Sequence, residues 1–162
     1  MKTKILIFTL LAYLPIALLA QNEKQTINNL LIDWHQAAAD VNQHSYFNFI
    51  DDDGTYIGTD STEIWSKQAF FDWSTPYFEK GKTWNFKTNS RNIYISENQT
   101  FAWFDELVTN GNITLRGSGV LEKKADGWKL KHYVLSLPVP NEKFNDVRDV
   151  INTPEEKIER EE

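Results

Sequence analysis

Residues 101–137 read FAWFDELVTNGNITLRGSGVLEKKADGWKLKHYVLSL and carry the clearest structural signal in the chain. Within and beside them, apolar residues alternate along three segments: Thr100 to Thr109, Ile113 to Lys123 and Trp128 to Leu137. Such alternation over eight or more residues is typical of β-strands. The segments are separated by Asn-Gly-Asn at 110–112 and Ala-Asp-Gly at 125–127, which are typical hairpin turns. Three consecutive antiparallel strands are therefore predicted.

The segments before this region predict one more long strand and two helices. Thr83 to Ser96 is a fourth strand candidate. Apolar residues at helical spacing, from Ile27 to Val41, predict an amphipathic helix from Glu23 to Gln43. A second helix begins at the N-cap Ser66 and ends at Gly81. At Pro76 a kink, or a restart capped by Ser74 or Thr75, is expected because proline lacks an N–H group. Helices followed by an antiparallel meander predict the α+β class.

The acidic run Asp51-Asp52-Asp53-Gly54 is interpreted as a solvated turn that leads into a short strand, Thr55 to Thr59. The run lacks the alternating ligands and the distal glutamate of a calcium loop, so no metal site is expected. Asp60 and Glu63 stand three residues apart, which fits a capping arrangement at a helical turn.

The N-terminus has the pattern of a secretory signal peptide. Lys2 and Lys4 precede an apolar run that ends at Ala20, and the run is shorter than a typical membrane span. Cleavage after Ala20 is expected, with a periplasmic or secreted location. The predicted organisation is a signal peptide at 1–20, one domain at 21–145 and a charged tail at 146–162.

Composition excludes several classes of function. After residue 20 the chain carries 15 basic and 23 acidic residues, a formal net charge of −8 that disfavours nucleic acids and anionic membrane surfaces. No cysteine is present, so disulfides, thiol nucleophiles and zinc–thiolate sites are excluded. Phosphate loops and dinucleotide fingerprints are absent as well, and no cofactor is expected.

Several segments together resemble the SnoaL-like domain family, which belongs to the wider nuclear-transport-factor-like cone fold. The residues that carry the resemblance are Gly58-Thr59-Asp60, Glu63, Trp65, Ala102 to Glu106, Arg116 to Leu121, Gly127-Trp128-Lys129, His132, Tyr133, Ser136, Pro138, Pro140 and Asn141. The resemblance implies a cone-shaped curved antiparallel sheet that wraps around N-terminal helices and encloses a pocket. It also implies a homodimer formed through the outer face of the sheet. Cyclases, isomerases, dehydratases and binding proteins share this fold, so the resemblance leaves the activity open.

Strand alternation suggests which polar residues face the pocket. If Leu130, His132, Val134 and Ser136 face inward, then Tyr133, Leu135 and Leu137 lie on the outer face. Asp105, which shares a strand face with Trp103, and Arg116, which shares one with Ser118, are expected to converge on His132. His35 is assigned to the polar side of the first helix.

Asp105 and His132 are the candidate catalytic residues. A carboxylate among aromatic residues needs a partner or a raised pKa, and Asp105 is interpreted either as an acid/base or as the partner of Arg116 in an ion pair. Candidate ligand-binding residues are Trp65, Trp84, Trp103, Arg116, Ser118 and Ser136, the first two as stacking platforms at the mouth of the cone. Gly117 and Gly119 indicate a close backbone approach or a bulge.

Two functions fit this pattern, and a third is weaker. The first is binding of a small apolar or aromatic molecule in an aromatic-lined pocket. The second is a cofactor-free isomerase, dehydratase or cyclase that uses Asp105 or His132 as acid/base. The third is a role in protein interaction alone. The pairing of Asp105 with Arg116 favours the binding function, since a paired carboxylate is a poor proton carrier.

Overall fold

A computed structural model describes residues 22–152, and both the predicted signal peptide and the chain beyond 152 lie outside the described residues. Four helices are present in this range: α1 at 22–39, α2 at Gln43–Phe49, α3 at Lys67–Glu79 and α4 at Phe144–Ile151. The six strands are β1 (Ile50–Ile57), β2 (Ile64–Ser66), β3 (Lys87–Ile95), β4 (Phe101–Asn110), β5 (Ile113–Lys124) and β6 (Gly127–Ser136). Helices followed by a meander confirm the predicted α+β class.

The six strands form one curved, unclosed sheet in the order β2-β1-β6-β5-β4-β3. The pairs from β3 to β6 are antiparallel, as the hairpin turns predict, although β3 begins at Lys87 and not at Thr83. β1 lies parallel to β6, with Tyr56 opposite Tyr133. This pairing joins the N-terminal part of the domain to the last strand of the meander.

The core lies between the helices and one face of the sheet. Ile27, Leu31 and Ala38 of α1 are fully buried, because they form the apolar stripe predicted from their spacing. The inner face of the sheet contributes buried side chains from every strand of the meander except β3, among them Phe104, Leu121 and Tyr133. Burial of these side chains provides the main driving force for folding.

α3 begins and ends as the sequence predicts but is not broken by proline. The Ser66 hydroxyl accepts a hydrogen bond from the Ala69 N–H at 3.3 Å. At the C-terminus, Gly81 has a φ of +64°, and the N–H groups that follow the helix bond back to it in a Schellman arrangement. The predicted restart at Pro76 is wrong: one helix continues through it, and the hydroxyls of Ser74 and Thr75 bond to the Phe71 carbonyl instead of capping a new helix.

The acidic run at 51–54 lies within β1 and does not form a reversing turn, so that prediction is wrong. Between Ile50 and Thr55 the register against β6 shifts, because five residues of β1 span the distance that two residues span in β6. Lys124 pairs with Asp51 at 3.3 Å, and Lys131 pairs with Asp53. Lysines from β5 and β6 thus pair with the acidic residues of this irregular part of β1.

β6 contains a bulge that changes which side chains face the core. Val120 lies opposite His132 and Leu121 lies opposite Leu130, so Lys131 is the additional residue. Trp128 and Leu130 face inward before the bulge, and Tyr133 and Leu135 face inward after it. The prediction that Tyr133 and Leu135 lie on the outer face is therefore wrong, since both are buried.

The C-terminal segment forms a short 3₁₀ turn at Asn141–Lys143 and then α4, whose apolar residues Phe144, Val150 and Ile151 are exposed. Across residues 22–152, no helix is both long and apolar enough to span a bilayer.

Candidate functional site

An open cleft of about 320 Å³ lies at the end of the sheet where the β4–β5 hairpin turns. Its walls come from β1, β2, α3, the segment before β3 and the ends of β4, β5 and β6. The residues that line it are Tyr56, Gly58, Thr59, Glu63, Trp65, Phe70, Trp73, Trp84, Phe86, Asn110, Ile113, Leu115 and Leu135. The volume falls at the lower end of the range for small-molecule pockets.

Six of the thirteen residues that line the cleft are aromatic, and several of their rings pack against one another. Phe70 lies at the centre, with its ring centroid 4.1 Å from that of Tyr56 and 5.4 Å from that of Trp65, both in stacked geometry. The Trp65 and Trp73 centroids are 4.9 Å apart. Because these rings pack against one another, the aromatic wall is pre-organised for a ligand.

The polar part of the rim is the turn between β1 and β2. The Glu63 carboxylate accepts a hydrogen bond from the Asp60 N–H at 3.2 Å, and the Asp60 carboxylate accepts one from the Thr62 N–H at 2.8 Å. The spacing of Asp60 and Glu63 predicts this kind of capping contact. Gly58 leaves room for this side chain, since a methyl group at that position would overlap the Glu63 carboxylate in its present position.

A second polar cluster lies deeper, under the same aromatic core. Glu106 of β4 is 1% exposed, and its carboxylate accepts hydrogen bonds from Tyr133 Oη and His35 Nε2, each at 2.9 Å. Arg91 of β3 approaches the other oxygen with two donors at 2.9 and 2.6 Å. Arg91 also donates to the Asn28 carbonyl and side chain, which ties β3 to α1.

The environment of Glu106 favours its charged form. Burial alone raises the pKa of this carboxyl group, but the hydrogen bonds and charges of His35 and Arg91 outweigh burial and hold the pKa below its usual value. A carboxylate with this many donors is a poor proton carrier at neutral pH. Burial, followed by the Glu106 charge, raises the pKa of Tyr133 well above its usual value, so its hydroxyl remains protonated as a donor.

His35 connects this cluster to the cleft. It is 3% exposed, and its ring meets that of Phe86 edge-on at 5.6 Å, while Phe86 itself lines the cleft. The assignment of His35 to the polar side of α1 is therefore wrong. The Glu106 cluster fixes α1, β3, β4 and β6 against one another directly behind the cleft wall.

The three polar residues expected to converge in the pocket lie elsewhere. Asp105 is exposed, with its carboxylate bonded to the Asn92 amide at 2.9 Å. Arg116 is exposed opposite Leu107, and no ion pair joins it to Asp105 within residues 22–152. His132 follows the bulge and lies on the outer face. The predicted inward convergence is wrong. In β4, β5 and the end of β6, the residues expected to face the core face outward, and their neighbours in the sequence face the core.

Of the other predicted ligand-binding residues, two line the cleft and three do not. Trp65 and Trp84 line the cleft. Trp103 lies on the outer face, 48% exposed and stacked on Tyr94 at 5.7 Å. Ser118 is exposed on that face too, while Ser136 donates to the Arg116 carbonyl at 3.3 Å, away from the cleft.

Glu106, Arg91 and His35 were not predicted as site residues, although two signals in the sequence point to His35 and Glu106. His35 stands four residues after Leu31 and three before Ala38, which places it inside the apolar stripe of α1. The hairpin turn at 111–112 pairs Asn110 with Ile113, and this register sets Glu106 opposite Gly117. A glycine opposite a buried carboxylate leaves room for its partners, and here the Tyr133 ring fills that room.

Metal-binding residues do not cluster in the described part of the chain. No group of three or more His, Asp or Glu side chains lies close enough to hold an ion. The hydrogen-bond partners of Glu106 are a guanidinium group, an imidazole ring and a hydroxyl group, which suit a carboxylate and not a metal ion.

A known protein family matches the part of the chain that forms this fold. The model of the SnoaL-like domain family matches residues 27–140, from α1 to the end of the strand region. The chain belongs to the SnoaL-like family. A comparison with curated proteins found no significant match.

Solved structures share the fold of this SnoaL-like chain at low sequence identity. An NTF2-like protein of unknown function from Pseudomonas putida has a TM-score of 0.64 at 16% identity, covering 76% of this chain and 92% of its own. An NTF2-like protein from Cytophaga hutchinsonii has a TM-score of 0.60 at 14% identity, covering 71% and 98%. A cystatin-like-fold domain of unknown function from Nostoc punctiforme reaches 0.63 at 9%, covering 83% and 88%. These likenesses confirm the cone fold.

Proposed function

We propose that this SnoaL-like domain binds a small apolar or aromatic molecule in the cleft at the end of its sheet. The observation that carries the proposal is the wall of six aromatic side chains around an open volume of about 320 Å³. Apolar walls with a few polar groups at the rim are the usual composition of small-molecule sites. Burial of an aromatic ligand against such rings contributes favourable free energy in proportion to the area removed from water.

Binding is favoured over acid/base catalysis by Asp105 or His132, because neither of these two candidates lies in the cleft. Asp105 and His132 lie on the outer face of the sheet, so neither reaches a molecule in the cleft. Glu106 is buried behind the wall and is bonded to Arg91, His35 and Tyr133. These contacts support a structural role for the buried carboxylate and a binding role for the cleft.

Two exposed tryptophans provide a matched test. Trp73 lines the cleft at 41% exposure, whereas Trp103 lies on the outer face at 48% exposure. We expect Trp73→Ala to weaken binding of tert-butylbenzene about tenfold, since loss of one stacked aromatic partner costs ~1 kcal/mol or more. Trp103→Ala should leave the affinity unchanged. Isothermal titration calorimetry measures both, and equal effects of the two substitutions would count against the cleft as the binding site.

A further inference from the structure

Glu63 gives the cleft a charge that the aromatic wall does not explain. Among the residues that line the cleft, it is the single one with a formal charge, and no Lys, Arg or His side chain lines the cleft with it. The other polar groups at the rim are the Thr59 hydroxyl and the Asn110 amide, which are neutral. A ligand in the cleft therefore meets a negative charge without a compensating positive one.

The carboxylate is held in place but is not neutralised. Its one hydrogen bond from within residues 22–152 is the backbone N–H of Asp60 at 3.2 Å, and no cationic side chain of that range lies within ion-pair distance. Gly58 allows the Glu63 side chain to lie directly against the strand. The chain thus places an unpaired carboxylate beside the aromatic rings.

The rings beside Glu63 are of the kind that attract cations. Trp65 and Trp73 line the same cleft with their centroids 4.9 Å apart, and Trp84 and Tyr56 complete the wall. The faces of aromatic rings carry negative electrostatic potential, and tryptophan attracts cations most strongly. Several such faces around a carboxylate bind alkylated ammonium groups, which have weak hydration shells and an apolar surface.

The charge also acts on the interior of the cleft. Burial raises the pKa of the Tyr56 hydroxyl, and the Glu63 charge raises it further. A neutral apolar ligand seated here would strip water from Glu63 without replacing its hydrogen bonds, which is unfavourable. An anionic ligand would be repelled as well. A cation compensates for the lost water and gains from the rings.

We propose that the ligand of this cleft is an organic cation, an alkylated ammonium group on an aromatic or apolar body, with Glu63 as its counter-ion. The inference rests on the proposed binding function and narrows its ligand class. Glu63 sets the preference for charge, and the tryptophans supply the apolar contact area that both charged and neutral ligands use.

Phenyltrimethylammonium and tert-butylbenzene test this, since they have the same shape and differ by one positive charge. We expect the cation to bind about tenfold more tightly than the neutral compound, as measured by isothermal titration calorimetry. Glu63→Gln should abolish this preference by weakening phenyltrimethylammonium binding without weakening tert-butylbenzene binding, because glutamine lacks the charge but retains the acceptor for the Asp60 N–H. Glu97→Gln is the matched control, since this exposed glutamate lies in the β3–β4 turn at the opposite end of β4 from the cleft.

The outcomes separate the two proposals. Equal affinity for both compounds, or a preference that survives Glu63→Gln, would overturn the proposal of a cationic ligand. It would leave the proposal of binding in the cleft intact. A preference lost equally in Glu97→Gln would also overturn it, since net charge and not Glu63 would then be responsible. If neither compound binds the unmodified protein, both proposals are wrong.

Discussion

Glu106 and Asp105 are neighbours in β4 but have opposite environments. The Glu106 side chain is fully buried with four hydrogen bonds to its two oxygens, whereas Asp105 faces solvent and bonds to Asn92. Because Arg91 is nearly as buried as its partner, removal of either charge would leave the other without compensation. The pair therefore affects stability far more than a surface ion pair does.

We expect Glu106→Gln to lower the free energy of unfolding by about 3–5 kcal/mol, because the buried Arg91 guanidinium loses its counter-ion. Asp105→Asn is the matched control and should leave stability within experimental error. Urea unfolding monitored by tryptophan fluorescence measures both. A small effect of Glu106→Gln together with a large one of Asp105→Asn would mean that β4 has the opposite phase in solution.

Most of the helices and strands were predictable from the sequence, but which face of each strand points to the core was not. Alternation in β4 is ambiguous, because Phe101 and Trp103 on one face are as apolar as Ala102 and Phe104 on the other. In β6 the bulge at Lys131 shifts the alternation by one residue, and the consecutive polar residues Lys131 and His132 are its trace in the sequence. Since a one-residue shift exchanges the two faces, correct strands gave an incorrect candidate site.

Gly119 of β5 packs closely against β4 and β6 on the inner face of the sheet, and its substitution tests this packing. A methyl group there would lie 2.6 Å from the His132 carbonyl oxygen and 2.7 Å from the Phe104 ring. Because a backbone atom cannot move aside easily, we expect Gly119→Ala to destabilise the protein by about 1–3 kcal/mol. Ser118→Ala, on the exposed face one residue earlier, should be nearly neutral. Thermal unfolding compares the two, and equal melting temperatures would contradict the packing described for β5.

At the scale of the whole molecule, the outer face of the sheet exposes apolar surface. Tyr94 and Trp103 stack there at 43% and 48% exposure, and Phe101 lies nearby at 43%. The same face carries Asp105 and Arg116, so two copies related by a twofold axis can oppose unlike charges. These residues replace Tyr133 and Leu135 as the reason to expect a homodimer, which stays a prediction.

Sedimentation velocity over a range of concentrations tests the dimer. We expect a dimer for the unmodified protein and a monomer for Trp103→Lys, because a lysine would bury an unpaired charge at the interface. Tyr77→Lys, which changes an aromatic residue of similar exposure on α3, should remain dimeric. A monomer at every concentration, or equal dissociation by both variants, would contradict the expected interface.

The parallel pairing of β1 with β6 has a consequence for the order in which the chain can fold. Tyr56 and Tyr133 are partners in the sheet although 77 residues separate them, and His35 reaches Glu106 across 71 residues. The hairpins between β3 and β6 close short loops, which are fast to form, whereas β1 must wait for the last strand. Until β6 has formed, Trp34 of α1 lacks its ring contact with Tyr133. Nucleation in the C-terminal meander, followed by docking of the N-terminal half, is the folding route that this topology favours.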